Sequence, residues 1–426
     1  MSDPAYVETE DVAPPVAQAI AVPRISIHAF CDQPETAQML QSAAGDRRLA
    51  RAHVSVQTGG VSGAVKYFDN APTPNLLIVE SRAGRDEILN DLVRLAQVCD
   101  SGTKVIVIGH VNDVVLYREL IREGVSEYVV APVSELQLIE SIAALYNAPE
   151  AAPVGRTVAF IAARGGAGSS TIAHNVAWAM SERHQENAVV IDLDLPFGTA
   201  SLNFNQDPPQ GVAEALSSPD RLDDVLLDRL FTKCGEYLSL LSAPAMIDRE
   251  FAIDEEAIDH LFDVVRHNVP TIVFDLPHMW SPWVKRVLTS ADDIVITATP
   301  DLASLRNGKN LLDMLKDARA NDTPPKLVIN QAGVPKRPEI GPKEFAAALE
   351  TDPVLILPYE PQLFGEAANN GQMLTEVSPN ARAAEGIVYL ANTIAGRSEP
   401  VRSSKSLLSP LLGRFTRKKK SNKDAA

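Results

Sequence analysis

Three kinds of feature are scarce in this sequence of 426 residues, and each scarcity excludes something. Cysteine is nearly absent: Cys31, Cys99 and Cys234 lie far apart, with no C-x-x-C pair and no histidine at metal-ligand spacing. That excludes a disulfide framework and a cysteine metal centre, and points to a reducing compartment. Each cysteine reads as a small core residue. Basic charge is in deficit, with 39 Lys and Arg against 55 Asp and Glu and a formal net charge of −16. A general nucleic-acid binder is therefore not expected, because such surfaces are basic. No apolar run reaches the ~20 residues of a membrane-spanning helix. The first residues, M-S-D-P-A-Y-V-E-T-E-D, are acidic where a secretory signal begins basic. The expected location is the cytoplasm.

The length predicts two domains plus tails. Residues 1–22, rich in Pro, Ala, Glu and Asp, read as a flexible tail. Over 23–147 apolar strands alternate with helical patterns in five β-α repeats, beginning at Ile25, His53, Leu76, Val105 and Glu127. This predicts an α/β fold with a doubly wound parallel sheet. Residues 148–156 read as a Pro/Ala linker, 157–396 as a second α/β domain and 397–426 as a basic tail.

The second domain is organised around V-A-F-I-A-A-R-G-G-A-G-S-S-T-I-A-H-N, Val158 to Asn175. A buried strand enters a turn in which Gly165, Gly166 and Gly168 let backbone N–H groups face inward, and a helix opening at Ser170 adds its positive dipole end. Such a turn can hold a phosphate; the alternative is a strand-to-helix turn that binds nothing. Downstream, a strand ends in D-L-D with Asp192 and Asp194 at its carboxyl end, where open α/β sheets place ligands. T-I-V-F-D-L-P-H ends a β-branched strand in Asp275, the form of a Walker B element whose carboxylate holds the water shell of Mg²⁺. Both sets of carboxylates also read as turn caps.

These segments resemble the ParA/MinD family, whose deviant Walker A loop is written K-G-G-x-G-K-[ST]-T. Arg164 stands at that family's signature lysine and Ser169 at the ordinary P-loop lysine; Gly165, Gly166, Ala167 and Gly168 keep the frame, and Ser170 and Thr171 keep the hydroxyls. The resemblance implies ATP and Mg²⁺ as ligands. It assigns Ser170, Asp192 and Asp275 to the metal, partly through water, and Asp194 to orienting the attacking water. Asn330 in L-V-I-N-Q and Pro358 with Tyr359 in L-P-Y-E-P match the residues bordering adenine. Loss of the lysine removes charge-assisted bonds worth roughly 1.5–3 kcal/mol each, roughly ten- to a hundredfold in affinity.

The first domain resembles a response-regulator receiver. P-N-L-L-I-V-E puts Glu80 at the position of the phosphorylated aspartate, Ala131 replaces the lysine, Cys31-Asp32 remains of the acidic pair, and Gly109 replaces a Thr or Ser. Glu80 reads as a fixed stand-in for the phosphorylated state or as a plain loop-facing carboxylate. A degenerate receiver before a ParA/MinD-like domain is similar to the layout of the CpaE/TadZ family, polar-localisation ATPases of Flp/Tad type IV pilus assembly. That resemblance implies a homodimer closed around ATP and Mg²⁺, pilus assembly proteins as partners, and a polar place at the inner face of the membrane.

In the tail, Ser409-Pro410 reads as a helix start that puts Leu411, Leu412 and Phe415 on one face beside Arg414 and Arg417 to Lys420. It is similar in kind to the basic amphipathic tail of MinD, which implies peripheral membrane contact through 407–420; a disordered basic tail and a docking peptide stay open. Three functions follow: a localisation factor with slow or absent hydrolysis, an active ATPase cycling on membrane or DNA through Asp194, and a nucleotide-free scaffold.

Overall fold

The computed structural model describes residues 22, 25–100, 102–146, 154–244, 246 and 253–397. The first sheet joins β1 (Ser26–Cys31), β2 (His53–Thr58), β3 (Leu76–Ser81), β4 (Lys104–Gly109) and β5 (Glu127–Val130) in the order β2-β1-β3-β4-β5, all parallel. This is the doubly wound arrangement expected from the five repeats. Every residue of β3 is buried, as an apolar run covered on both faces must be.

The second sheet has eight strands: β6 (Arg156–Ala162), β7 (Ala188–Asp192), β8 (Thr232–Lys233), β9 (Leu238–Leu241), β10 (Thr271–Asp275), β11 (Asp293–Ala298), β12 (Lys326–Ala332) and β13 (Pro353–Pro358). Their order is β13-β12-β11-β6-β10-β7-β9-β8, parallel except for the antiparallel edge pair β8–β9. Along β6 the side chains alternate between two cores: Ala159 and Ile161 pack into one layer, Val158 and Phe160 into the other. The first layer includes Phe274 stacked on Phe262 at 4.3 Å. Burying one such ring contributes roughly 1.5–3 kcal/mol.

Two boundaries need correction. Val22, read as tail, is buried and donates its N–H to Arg48 O. Gly155 and Arg156, read as linker, belong to the second domain: Gly155 N donates to Arg266 O, and Arg156 opens β6. Cys99 and Cys234 are half-buried at the edges of the cores, and Cys31 alone of the three is buried. The expected flexible tail up to residue 21, the rest of the linker and the basic tail from 398, including 407–420, lie outside the described residues.

An ionic network joins the two domains. Arg47 and Arg48 lie in a single helical turn between the first helix, Pro34–Ala44, and β2. Arg47 Nε donates to Asp322 Oδ2 at 2.6 Å, and its Nη1 donates to Ser290 O at 3.0 Å and Asp292 Oδ1 at 3.2 Å. Arg48 Nη2 reaches Asp322 Oδ1 at 2.5 Å, while its Nη1 is held by Asp46. From the second domain, Arg319 Nε adds a contact to Asp322 at 3.1 Å and Arg266 Nη2 one to Asp292 at 3.0 Å. Burial alone would raise the Asp292 carboxyl; Arg266, Arg47 and the hydrogen bonds of Thr157 reverse this and hold it below the ordinary range. Asp292 and Asp322 both precede strands, so the first domain sits against the amino edge of the second sheet.

Removing one partner of a buried ionic network leaves the others uncompensated, at a cost of about 3–5 kcal/mol. Asp322→Ala is expected to lower the unfolding free energy by that margin, with a lower urea midpoint, and to separate unfolding into two transitions. One cooperative transition with an unchanged midpoint would contradict the network's role.

Candidate phosphate and cation site

The turn between β6 and the helix Ser169–His184 is held from outside by its carbonyls. Asn307 Nδ2 donates to Ala163 O at 2.8 Å, Gln331 Nε2 to Gly166 O at 3.0 Å and Asn330 Nδ2 to Ala167 O at 2.8 Å. Gly166 and Gly168 have φ of +80° and +91°, where side chains are strained. At Gly168 a Cβ would also lie 2.5 Å from Asn330 Nδ2. The N–H groups of Gly165, Gly166, Gly168, Ser169, Ser170 and Thr171 have no acceptor among the described residues. Carbonyls engaged and N–H groups free is the division an anion site needs. Ser169 is buried with its Oγ unpartnered, and Ser170 and Thr171 are half-buried beside it.

The carboxylates reach the same edge through strand register. On β10, Asp275 lies opposite Phe160 of β6 and Asp192 of β7. Asp192 is buried, with Oδ1 accepting from Asp194 N and Oδ2 from Ala200 N, each at 3.1 Å. Burial, then the charge of Asp275, pushes its pKa up to about 7, against the nearby His174 and the two backbone donors. Asp275 is buried with Oδ1 unpartnered, and its Oδ2 lies 3.1 Å from His174 Nε2, outside straight hydrogen-bond geometry. Asp194 sits one turn beyond β7, its Oδ1 accepting from Phe197 N at 3.3 Å; burial raises its pKa.

These residues fit a phosphate accompanied by a divalent cation. The orphaned Asp275 Oδ1 and Ser169 Oγ are buried oxygens that need a partner. Among the described residues no three His, Cys, Asp or Glu side chains form a metal cage. A cation here would share phosphate oxygens and water with Asp275 and Ser170, as Mg²⁺ commonly does; Asp192, both oxygens engaged, would act from behind. Arg164 lies at the rim, half-exposed, its Nη1 donating to Asp301 Oδ2 at 3.0 Å. Asp301 also caps the helix Leu302–Ala318 through Ser304 N. An exposed pair of this kind is worth about 0–1 kcal/mol, so Arg164 can exchange Asp301 for another anion.

The expected base-binding residues share the carboxyl edge on β12 and β13. Asn330 is buried, with its amide on Ala167 O and its Oδ1 accepting from Gln331 N. In this state it braces the phosphate turn. Pro358 ends β13, and Tyr359 is exposed with its N–H on Ala332 O. Sequence reasoning missed His174, Asn203, Asp301 and Gln331. The spacing from Ser170 to His174, one helical turn, was the available signal for the histidine.

In the first domain Glu80 is fully buried on β3, which overturns the reading of a loop-facing carboxylate. Its Oε2 accepts from Asp32 N and Gln33 N, each at 2.8 Å; Oε1 accepts from Thr36 Oγ1 at 2.8 Å and meets His110 Nε2 at 3.0 Å. The glutamate thus fills the donor set at the start of the first helix with its own carboxylate. Burial alone would raise its pKa; the hydrogen bonds of Gln33, Thr36, His110 and Asp32 hold it below the usual value.

No family model matches the chain. The pilus assembly protein CpaE of Caulobacter crescentus is 52% identical over 98% of its solved chain and 30% of this one, with a TM-score of 0.30. The chain belongs to the CpaE family. Identity over nearly the whole of that shorter chain carries the assignment. This CpaE-family chain is also 26% identical to a ParA family ATPase of Chlorobium tepidum, across 55% of its length and 98% of the ATPase, with a TM-score of 0.51. Among curated proteins, an uncharacterized ATP-binding protein of Methanocaldococcus jannaschii is 20% identical over 244 residues, 56% of this chain and 87% of that protein.

Two pH dependences of opposite sign follow. Glu80 has a lowered folded pKa, so its stabilisation is complete above the ordinary glutamate range and is lost as pH falls through the folded value. Glu80→Gln should cost about 1.5–3 kcal/mol near neutrality, with the gap to wild type closing in acid. Asp192 has a raised folded pKa, so the wild type loses stability as pH climbs from about 4 to about 7. Asp192→Asn should abolish that slope in thermal melts of the nucleotide-free chain; an unchanged slope would contradict the assignment.

Proposed function

We propose that this CpaE-family chain is an ATP-binding localisation factor for pilus assembly that closes as a homodimer around Mg²⁺–ATP. The observation that carries the reading is the glycine turn, pinned by its carbonyls with six N–H groups free of any acceptor among the described residues, beside the orphaned oxygen of Asp275. Family membership supports pilus assembly proteins as partners and a polar place at the inner face of the membrane. The tail 407–420 is its proposed membrane contact. Arg164 engages phosphate in its own or the facing protomer, leaving Asp301. Hydrolysis is slow or absent because no lysine stands in the turn, although Asp194 keeps the position from which a water would be oriented.

Exposed apolar side chains around the turn support a second copy as the covering surface. Phe197 and Leu302 are each 71% exposed, Leu202 68% and Trp280 54%, all at or near the carboxyl edge of the second sheet. A face of this composition suits a protein partner better than water.

Sedimentation velocity tests the reading. Mg²⁺–ATP should shift the full chain from monomer to dimer, and Trp280→Ala should weaken the dimer about thirtyfold, the scale of an aromatic anchor. Arg164→Ala should lower nucleotide affinity or dimerisation. A sedimentation coefficient indifferent to nucleotide would overturn closure; both properties unchanged in Arg164→Ala would remove the arginine from the mechanism.

A further inference from the structure

His174 stands between the candidate cation site and a surface helix. It lies on the phosphate-turn helix with no exposed surface. Asn203 Nδ2, which can only donate, lies 2.9 Å from its Nδ1. Nδ1 is therefore the acceptor, and the ring proton sits on Nε2, facing Asp275 Oδ2 at 3.1 Å. The ring also packs against Phe204 with centroids 5.4 Å apart.

Asn203 ends the short helix Ala200–Asn203, whose other end is tied to the neighbouring carboxylate through Ala200 N on Asp192 Oδ2. Both ends of this helix thus hang on the two opposed aspartates, one directly and one through an imidazole. Its outer face carries Leu202, and Phe197 precedes it in the same loop. At its far end, a Cβ on Gly371 would lie 2.9 Å from Leu202 O and 2.8 Å from Asn205 Cβ, so the segment is clamped there as well.

We propose that His174 is a positioning residue that reports the state of Asp275 to the helix Ala200–Asn203, and through it to the exposed apolar face. The linkage runs from the Asp275 carboxylate to the His174 ring as a buried charge contact at 3.1 Å, not a straight hydrogen bond, and from Nδ1 to the Asn203 amide. A cation on the free Oδ1 draws charge from Oδ2 and loosens or re-aims that contact, while Asp192 holds the helix start. The cation end rests on the nucleotide reading above; the linkage itself does not.

The test is amide hydrogen exchange over 199–204 in the full chain. Here Ala200, Asn203 and Phe204 donate to Asp192, Thr199 O and Ala200 O. A cycle without nucleotide compares wild type, Asp275→Asn, His174→Leu and the double variant. Asp275→Asn should speed exchange about tenfold, the scale of a close charge contact out of water, and the double variant should exchange no faster than His174→Leu alone. Effects that multiply, or no effect of Asp275→Asn, would overturn the proposal. If His174→Leu does not fold, the half-buried Asn203→Ala replaces it in the same cycle.

A second arm adds Mg²⁺–ATP. It should change exchange over 199–204 in the wild type, and Asn203→Ala should abolish that change while keeping ATP affinity within about twofold. A change that persists in Asn203→Ala would overturn the proposal. Absence of ATP binding in the wild type overturns the nucleotide reading instead, and the nucleotide-free cycle then decides the linkage.

Discussion

The second domain depends on the register of one central strand. With β10 between β6 and β7, Asp275 comes level with Phe160 and Asp192, and the phosphate turn follows two residues after β6 reaches Ala162. A one-residue slip would turn Asp275 to the other face of the sheet and bury a charge in the apolar layer. The register is fixed because Ile272 and Phe274 fill one core and Val273 the other, so any slip exchanges the two sets. Packing far larger than any single polar contact thereby sets the distance between two like charges, and those charges define what the edge can hold.

Two edges of the molecule divide the work. The amino edge of the second sheet is occupied by the first domain through Arg47, Arg48, Asp292 and Asp322, and its carboxyl edge carries the phosphate turn. Buried ions of this kind add little net stability but penalise every other orientation of the domains. Glu80 brings a comparable rigidity to the first domain: the donors that a phosphoryl group would need are filled by the protein's own carboxylate. The first domain thus packs against the edge opposite the glycine turn.

Much of this was legible in the sequence because it rests on local patterns. Five β-α repeats gave the first sheet, and the glycine spacing with Asp192 and Asp275 after apolar strands located the candidate site. What escaped depends on partners distant in sequence. Asn330, read as bordering a base, also braces the turn 163 residues earlier in the chain, which no local pattern marks. In sequence Glu80 stays open between a stand-in for a phosphorylated aspartate and a loop-facing carboxylate because its partners, Asp32, Gln33, Thr36 and His110, come from the start of the helix Pro34–Ala44 and from the turn after β4. The roles of Arg47 and Arg48 left no local trace, since nothing near them in sequence marks Asp292 and Asp322 as their partners. Val22 and Gly155 were misplaced because one residue docked beside a polar stretch leaves no periodic trace.

Calorimetric titration of Mg²⁺–ATP into the full chain tests the central claim most directly, because everything proposed for the carboxyl edge presupposes that the turn holds phosphate without a lysine. The account predicts saturable binding with a dissociation constant in the micromolar range, about −8 kcal/mol, weakened when Mg²⁺ is chelated. No heat of binding up to millimolar ATP would contradict it, and the carboxyl edge would then act through protein contacts alone.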